Sequence, residues 1–108
     1  ALFGAGPDFF NGHKGHDRVD GGAGNDWIRA GLGDDSVYGG AGADQIIGME
    51  GDDVLRGGTD DDRIGGMEND DKLVGGPGSD VLLCGDGDDS AVGDALDKIW
   101  DCELLDLG

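Results

Sequence analysis

The chain repeats itself every nine residues. Gly21 to Arg29 reads GGAGNDWIR, and the unit returns as GGAGADQII over Gly39 to Ile47, GGTDDDRIG over Gly57 to Gly65 and GGPGSDVLL over Gly75 to Leu83. In that frame ten nonapeptides run from Phe3 to Val92 without an insertion or deletion. The sixth position is aspartate in every unit: Asp8, Asp17, Asp26, Asp35, Asp44, Asp53, Asp62, Asp71, Asp80 and Asp89. The eighth is apolar in every unit: Phe10, Val19, Ile28, Val37, Ile46, Leu55, Ile64, Leu73, Leu82 and Ala91. A period this short means one supersecondary unit stacked on copies of itself, a solenoid.

Each unit divides into a turn and a strand. Glycine dominates positions one, two and four, where it allows positive φ and close approach of a neighbouring backbone. Positions seven to nine alternate outward, inward, outward, the period of a short β-strand. One strand per unit predicts a flattened coil with two strands per eighteen-residue turn. Odd units stack into one parallel sheet and even units into the other, and the eighth-position side chains meet between them. The fold class is all-β, a parallel β-roll (two-sheet β-solenoid) of about five turns, roughly 24 Å long at ~4.8 Å per rung.

Departures from the unit are informative. Position one is Ala30 in the fourth unit and Cys84 in the tenth, and position two is His13, Met49 and Met67 in even units. Position four is Asp60 in the seventh and Asn69 in the eighth. Asp and Asn tolerate a left-handed backbone best among non-glycine residues, so the same turn is expected there. On the outer surface the odd face, with Phe9, Trp27, Ile47, Val81 and Leu83, is more apolar than the even face. Scattered apolar side chains on a sheet need no special explanation. After Val92 the unit degenerates: Gly93 to Asp101 reads GDALDKIWD, with Lys98 in the aspartate position and Trp100 in the inward one. The chain thus divides into repeats over 3–92 and a degenerate repeat with a hydrophobic C-terminal cap over 93–108.

Composition excludes several function classes. The 108 residues carry 25 acidic against 7 basic side chains, a formal net charge of −18. Nucleic acid and anionic membrane surfaces are repelled by such a chain. The longest apolar run near its end, Val81 to Cys84, is far too short to span a bilayer. No signal peptide is visible, and Ala1 adjoins the first unit, as in a mature or excised segment. With 25 glycines and few apolar residues, composition by itself reads as an acidic disordered linker. The unbroken register does not fit that reading.

The aspartates resolve the conflict. Stacked units place Asp8 over Asp26 and Asp26 over Asp44, a column of like charges beside a thin core, so an ion bound between turns is expected to hold the coil. A hard cation with oxygen ligands suits paired carboxylates and unshielded glycine carbonyls, and calcium accepts six to eight such ligands. Soft metals lack donors, since histidine occurs only at His13 and His16 and cysteine only at Cys84 and Cys102. Magnesium demands a tighter octahedron. Five turns on each edge give four gaps per edge, hence up to about eight ions. The odd row pairs Asp8/Asp26, Asp26/Asp44, Asp44/Asp62 and Asp62/Asp80, and the even row Asp17/Asp35, Asp35/Asp53, Asp53/Asp71 and Asp71/Asp89.

The units resemble the RTX (repeats-in-toxin, hemolysin-type) calcium-binding repeat, Gly-Gly-x-Gly-x-Asp-x-U-x with U apolar. The resemblance covers Phe3 to Val92. It implies a β-roll in which turns two units apart clasp each calcium ion through the ten sixth-position aspartates and main-chain carbonyls. Those carbonyls belong here to Gly22, Gly24, Gly31, Gly33, Gly40, Gly42, Gly58, Gly76 and Gly78. It further implies a secreted bacterial protein, unfolded in the calcium-poor cytoplasm and folded outside. The segment from Cys84 to Glu103 looks like the cysteine-bracketed cap of many secreted members. A Cys84–Cys102 disulfide is expected: the two lie eighteen residues apart, one turn of the coil if the frame holds.

Other constellations fall away. An EF-hand loop on Asp86, Asp88 and Ser90 would need glycine where Ala91 stands. His13 and His16 lack further soft ligands, acidic residues would repel a phosphate from the glycine turns, and no nucleophile–base pair stands out, so no catalytic site is expected. Three classes remain: a calcium-dependent folding and secretion module of a larger secreted protein, a free-standing calcium-binding or matrix protein, or an extracellular filament or adhesin subunit assembled through solenoid ends or the odd face.

Overall fold

The computed structural model describes residues 6–12, 14–85, 87, 89–93, 98–100 and 104–106. Its strands, in chain order, are β1 (Phe9–Asn11), β2 (Arg18–Asp20), β3 (Trp27–Arg29), β4 (Ser36–Gly40), β5 (Gln45–Ile47), β6 (Val54–Gly58), β7 (Arg63–Gly65), β8 (Lys72–Val74), β9 (Val81–Leu83), β10 (Ser90–Val92), β11 (Lys98–Trp100) and β12 (Leu104–Asp106). Each of the ten units supplies one strand at its positions seven to nine, as the alternation predicts. Odd strands form one six-stranded sheet, β1 to β11 in order, and even strands the other, β2 to β12. All ladders are parallel, and no helix occurs among the described residues. This is the two-sheet β-roll expected from the nine-residue period.

Register follows the repeat. Ile28 lies opposite Ile46, Ile46 opposite Ile64, and Val37 opposite Leu55, each pair eighteen residues apart. Val19, Ile28, Val37, Ile46, Leu55, Ile64, Leu73, Leu82 and Ala91 are buried in one continuous column, with Phe10 and Ile99 packed against its ends. β-Branched and leucine side chains dominate because each inward position lies between rungs above and below and the opposite sheet. Ala30 and Cys84, at position one, join this core. The outward positions leave Phe9 and Trp27 exposed, 65% and 54%, with their rings stacked at 6.5 Å on the odd face.

The C-terminal segment corrects the sequence frame. Ile99, not Trp100, lies opposite Leu82, a spacing of seventeen residues, and Leu105 lies opposite Ala91, a spacing of fourteen. Dropping one residue after Val92, and three more after Ile99, restores the pattern that the roll selects, an acid two places before an apolar residue, as Asp97-Lys98-Ile99 and again as Glu103-Leu104-Leu105. The cap region thus extends both sheets by a strand. The unbroken frame on which the cysteine spacing relied ends at Val92. Cys84 is buried, while Cys102 lies outside the described residues, as does His13.

The turns explain the glycines. Gly24 has φ +100° and passes against the Gly6 carbonyl, leaving no room for a side chain. Asp60 and Asn69 take the same left-handed path, φ 69° and 73°, as expected. Their side chains accept the Gly42 and Gly51 amides one turn earlier, at 2.9 and 3.2 Å. Their carbonyls stay directed at the next turn, against Gly78 and Gly87. Met49 and Met67 are left-handed at position two as well, and nothing in the structure explains the choice of methionine.

Candidate metal centre

Position six ends each turn, where the chain bends into the next strand and its side chain folds inward beneath the preceding turn. The backbone amides of eight of the ten, Asp8 to Asp71, donate to Oδ1 of the equivalent aspartate one turn later. Asp26 donates to Asp44, Asp44 to Asp62, Asp35 to Asp53 and Asp53 to Asp71, at 2.8–2.9 Å. The same bond links Asp8 to Asp26, Asp17 to Asp35, Asp62 to Asp80 and Asp71 to Asp89. The main-chain carbonyls of these aspartates are used too, accepting the first strand amide of the next turn, as Trp27 donates to Asp8 and Gln45 to Asp26. The structure therefore draws the ten aspartates into two columns, Asp8 to Asp80 along the odd edge and Asp17 to Asp89 along the even edge.

The second carboxylate oxygen is different. In Asp8, Asp17, Asp26, Asp35, Asp44, Asp53, Asp62 and Asp71, Oδ2 is buried and has no hydrogen-bond partner. Leaving a buried acceptor unsatisfied costs about 1–3 kcal/mol, and more when it is charged. Oδ2 of Asp17, Asp26, Asp44, Asp53 and Asp71 lies beside the position-one glycine of its own turn, facing the position-one carbonyl of the next. A methyl group added to Gly21 would sit 2.7 Å from Asp26 Oδ2 and 2.6 Å from the Gly39 carbonyl oxygen. On Gly39 it would sit 2.5 Å from Asp44 Oδ2 and 2.7 Å from the Gly57 carbonyl. On Gly66 the values are 2.5 Å to Asp71 Oδ2 and 2.8 Å to the Cys84 carbonyl. Two acceptors thus converge on each site with no donor between them, a donor set made of oxygen alone. A hard cation fits such a set.

Position-one carbonyls were not among the carbonyls expected from the sequence. The signal was the glycine at position one in most units, where Oδ2 and the carbonyl approach too closely to admit a side chain; Ala30 and Cys84 stand there in the fourth and tenth units. The expected carbonyls of positions two and four, such as those of Gly22, Gly24, Gly40 and Gly58, are directed at the equivalent glycine of the next turn. Among the described residues no three His, Cys, Asp or Glu side chains converge as a metal cluster. A centre here combines carboxylates with main-chain oxygens.

Electrostatics agree with the geometry. Burial raises the pKa of Asp44 from the ordinary 3.8 to about 6, opposed by the hydrogen bond from the Asp26 amide and reinforced by the Asp26 charge. Burial likewise lifts Asp53 and Asp62 to about 7 and Asp71 to about 8, each with its neighbour in the column adding repulsion. Asp35 is raised for the same reasons. These carboxylates are held where their charge is unwelcome without a cation.

The family model of the RTX calcium-binding nonapeptide repeat (4 copies) matches the chain in overlapping copies over residues 4–28, 21–55, 29–64, 38–71, 47–82 and 65–96. No curated protein and no solved structure matches it. No helix of the described residues is long and apolar enough to cross a membrane.

Proposed function

We propose, since this chain belongs to the RTX calcium-binding nonapeptide repeat family, that it is a calcium-dependent folding module, disordered without the ion and a rigid β-roll with it. The observation that carries this reading is the buried, unpartnered Oδ2 of Asp17, Asp26, Asp44, Asp53 and Asp71, set against a main-chain carbonyl of the next turn. Calcium between successive turns would draw both oxygens as ligands and cancel the repulsion along each column. Up to about eight ions would bind, four per edge, each contributing ~2.7 kcal/mol at one hundred times its Kd. The chain acts by binding and folding, not as a catalyst.

Calcium dependence suits an extracellular role. Calcium is scarce in cytoplasm and plentiful outside, so the chain would stay unfolded during export and fold on arrival, as a module of a secreted protein. A Cys84–Cys102 disulfide would brace the cap region over 93–108 in that oxidising space. Intact mass must rise by two hydrogens on reduction, or the bond does not exist. Circular dichroism during a calcium titration tests the main reading. Disorder in excess chelator and a β signal on adding calcium are expected, and a full β signal in chelator would sink it.

A further inference from the structure

The two edges of the roll are not equivalent outside the aspartate columns. On the even edge, position five holds Asp34, Asp52 and Asp70 on three successive turns. All three are exposed, and the side chains of Asp34 and Asp52 are fixed. Asp34 Oδ1 accepts the Asp52 amide at 2.8 Å, and Asp52 Oδ1 accepts the Asp70 amide at 2.9 Å. His16 begins the ladder, its Nδ1 3.1 Å from the Asp34 amide. Position three of the same edge holds Lys14, Leu32, Glu50 and Glu68, the last two exposed carboxylates that outnumber the one cation. On the odd edge position five holds Asn25, Ala43, Asp61 and Ser79, and position three Ala23, Ala41, Thr59 and Pro77. Asn25 does the structural work of the aspartates there, accepting the Ala43 amide at 2.8 Å. The negative charge of the even ladder is therefore not needed for its hydrogen bonds.

We infer that the position-five carboxylates make the even row the high-affinity calcium row, loaded before the odd row. The inference rests on the calcium reading and adds a rank order to it. Each ladder carboxylate adjoins a column aspartate in sequence, ~3.8 Å away at Cα. It therefore acts within the ~8 Å screening length of physiological salt. In the folded chain the ladder is hydrogen-bonded in place, so it acts as a fixed outer charge beside the column, not as a ligand. Asp35/Asp53 and Asp53/Asp71 feel it most. On the odd edge Asp60 and Asp61 supply comparable charge around Asp44/Asp62 and Asp62/Asp80, and Asp20 accepts the Gly22 amide at 3.1 Å where the third unit's turn begins. A divalent ion beside one or two additional carboxylates at this range gains about three- to tenfold in affinity, less as salt rises.

The test uses the whole chain and calcium chloride alone. Amide resonances of Gly48 and Gly66 report the even row and those of Gly39 and Gly57 the odd row. Even-row signals should shift at about three- to tenfold lower calcium in low salt, the gap narrowing at ~1 M potassium chloride. The triple variant Asp34→Asn, Asp52→Asn and Asp70→Asn keeps every Oδ1 acceptor and should bring the rows together. Should it fail to fold, Asn25→Asp, Ala43→Asp and Ser79→Asp, which builds a second ladder on the odd edge, should bring the odd row forward to lower calcium. The inference is overturned if odd-row glycines respond first, if both rows respond together in the unmodified chain, or if the ladder variants leave the order unchanged. Absence of any calcium response is a separate result that removes the calcium reading itself.

Discussion

The roll has two interiors, and they are equally hidden from water. Down its middle, Val19 to Ala91 are 0–4% exposed, and along its edges Asp26 to Asp89 are 0–3% exposed. In the middle each buried side chain meets other hydrocarbon, so burial itself stabilises, at ~25 cal/mol per Å². At the edges Asp26, Asp44, Asp53 and Asp71 satisfy one oxygen on the preceding turn and leave Oδ2 facing another acceptor. Burial there is a cost that only a ligand can offset. Accessibility alone cannot separate a column that holds the fold together from one that opposes it until something binds; the partners of each atom do.

Paired substitutions on one turn would break this comparison most sharply. Leu55→Ala removes core from β6 and should destabilise the folded chain by about 2–5 kcal/mol, with or without calcium. Asp53→Asn, two residues earlier, should behave in two ways. Asn keeps the Oδ1 that accepts the Asp35 amide and removes the buried charge. In chelator, with an excluded osmolyte to favour compact states, the folded fraction should rise for Asp53→Asn and fall for Leu55→Ala. In calcium both should lower resistance to urea, since the asparagine weakens the two sites that share position 53. Equal signs in chelator would mean that the aspartate column is ordinary core.

How much of this was legible in the sequence follows from the same contrast. The period displayed both columns, because every turn has to place one apolar residue and one carboxylate inward at fixed offsets. It also gave the left-handed turns at Asp60 and Asn69, where only the backbone angle matters. It did not give the direction of the carboxylate bonds, each received from the turn before. Nor did it reveal the position-one carbonyls or the inward packing of Ala30 and Cys84, which depend on how two turns nest. The slip after Val92 escaped because the nine-residue frame was carried through two shortened units, one residue short at Ile99 and three more at Leu105. The spacing of Asp97 to Ile99 and of Glu103 to Leu105 held the signal. Such a slip costs little where strand pairing, not the turn, sets the register.

A smaller and graded effect should come from acid. The folded-state values of Asp44, Asp53, Asp62 and Asp71, about 6, 7, 7 and 8, all exceed the ordinary 3.8 of a carboxyl in the unfolded chain. The folded chain then binds protons more tightly than the unfolded one, and protonation favours folding. That contribution is present in full below about pH 4 and is lost as pH rises through about 6 to 8. A proton on Oδ2 makes the unpartnered acceptor a donor, and the carbonyl of the next turn is there to receive it. In chelator, lowering the pH from about 8 to about 5 should move the chain toward the fold, recovering part of what calcium supplies. With calcium present the sign reverses for binding, since protons and ions compete for the same oxygens, and the folding midpoint should move to higher calcium as the pH falls. Circular dichroism at a series of pH values, with and without chelator, measures both trends. An apo chain that loses β structure on mild acidification would show that the edge carboxylates are better accommodated charged than neutral, and the distinction between the two interiors would collapse.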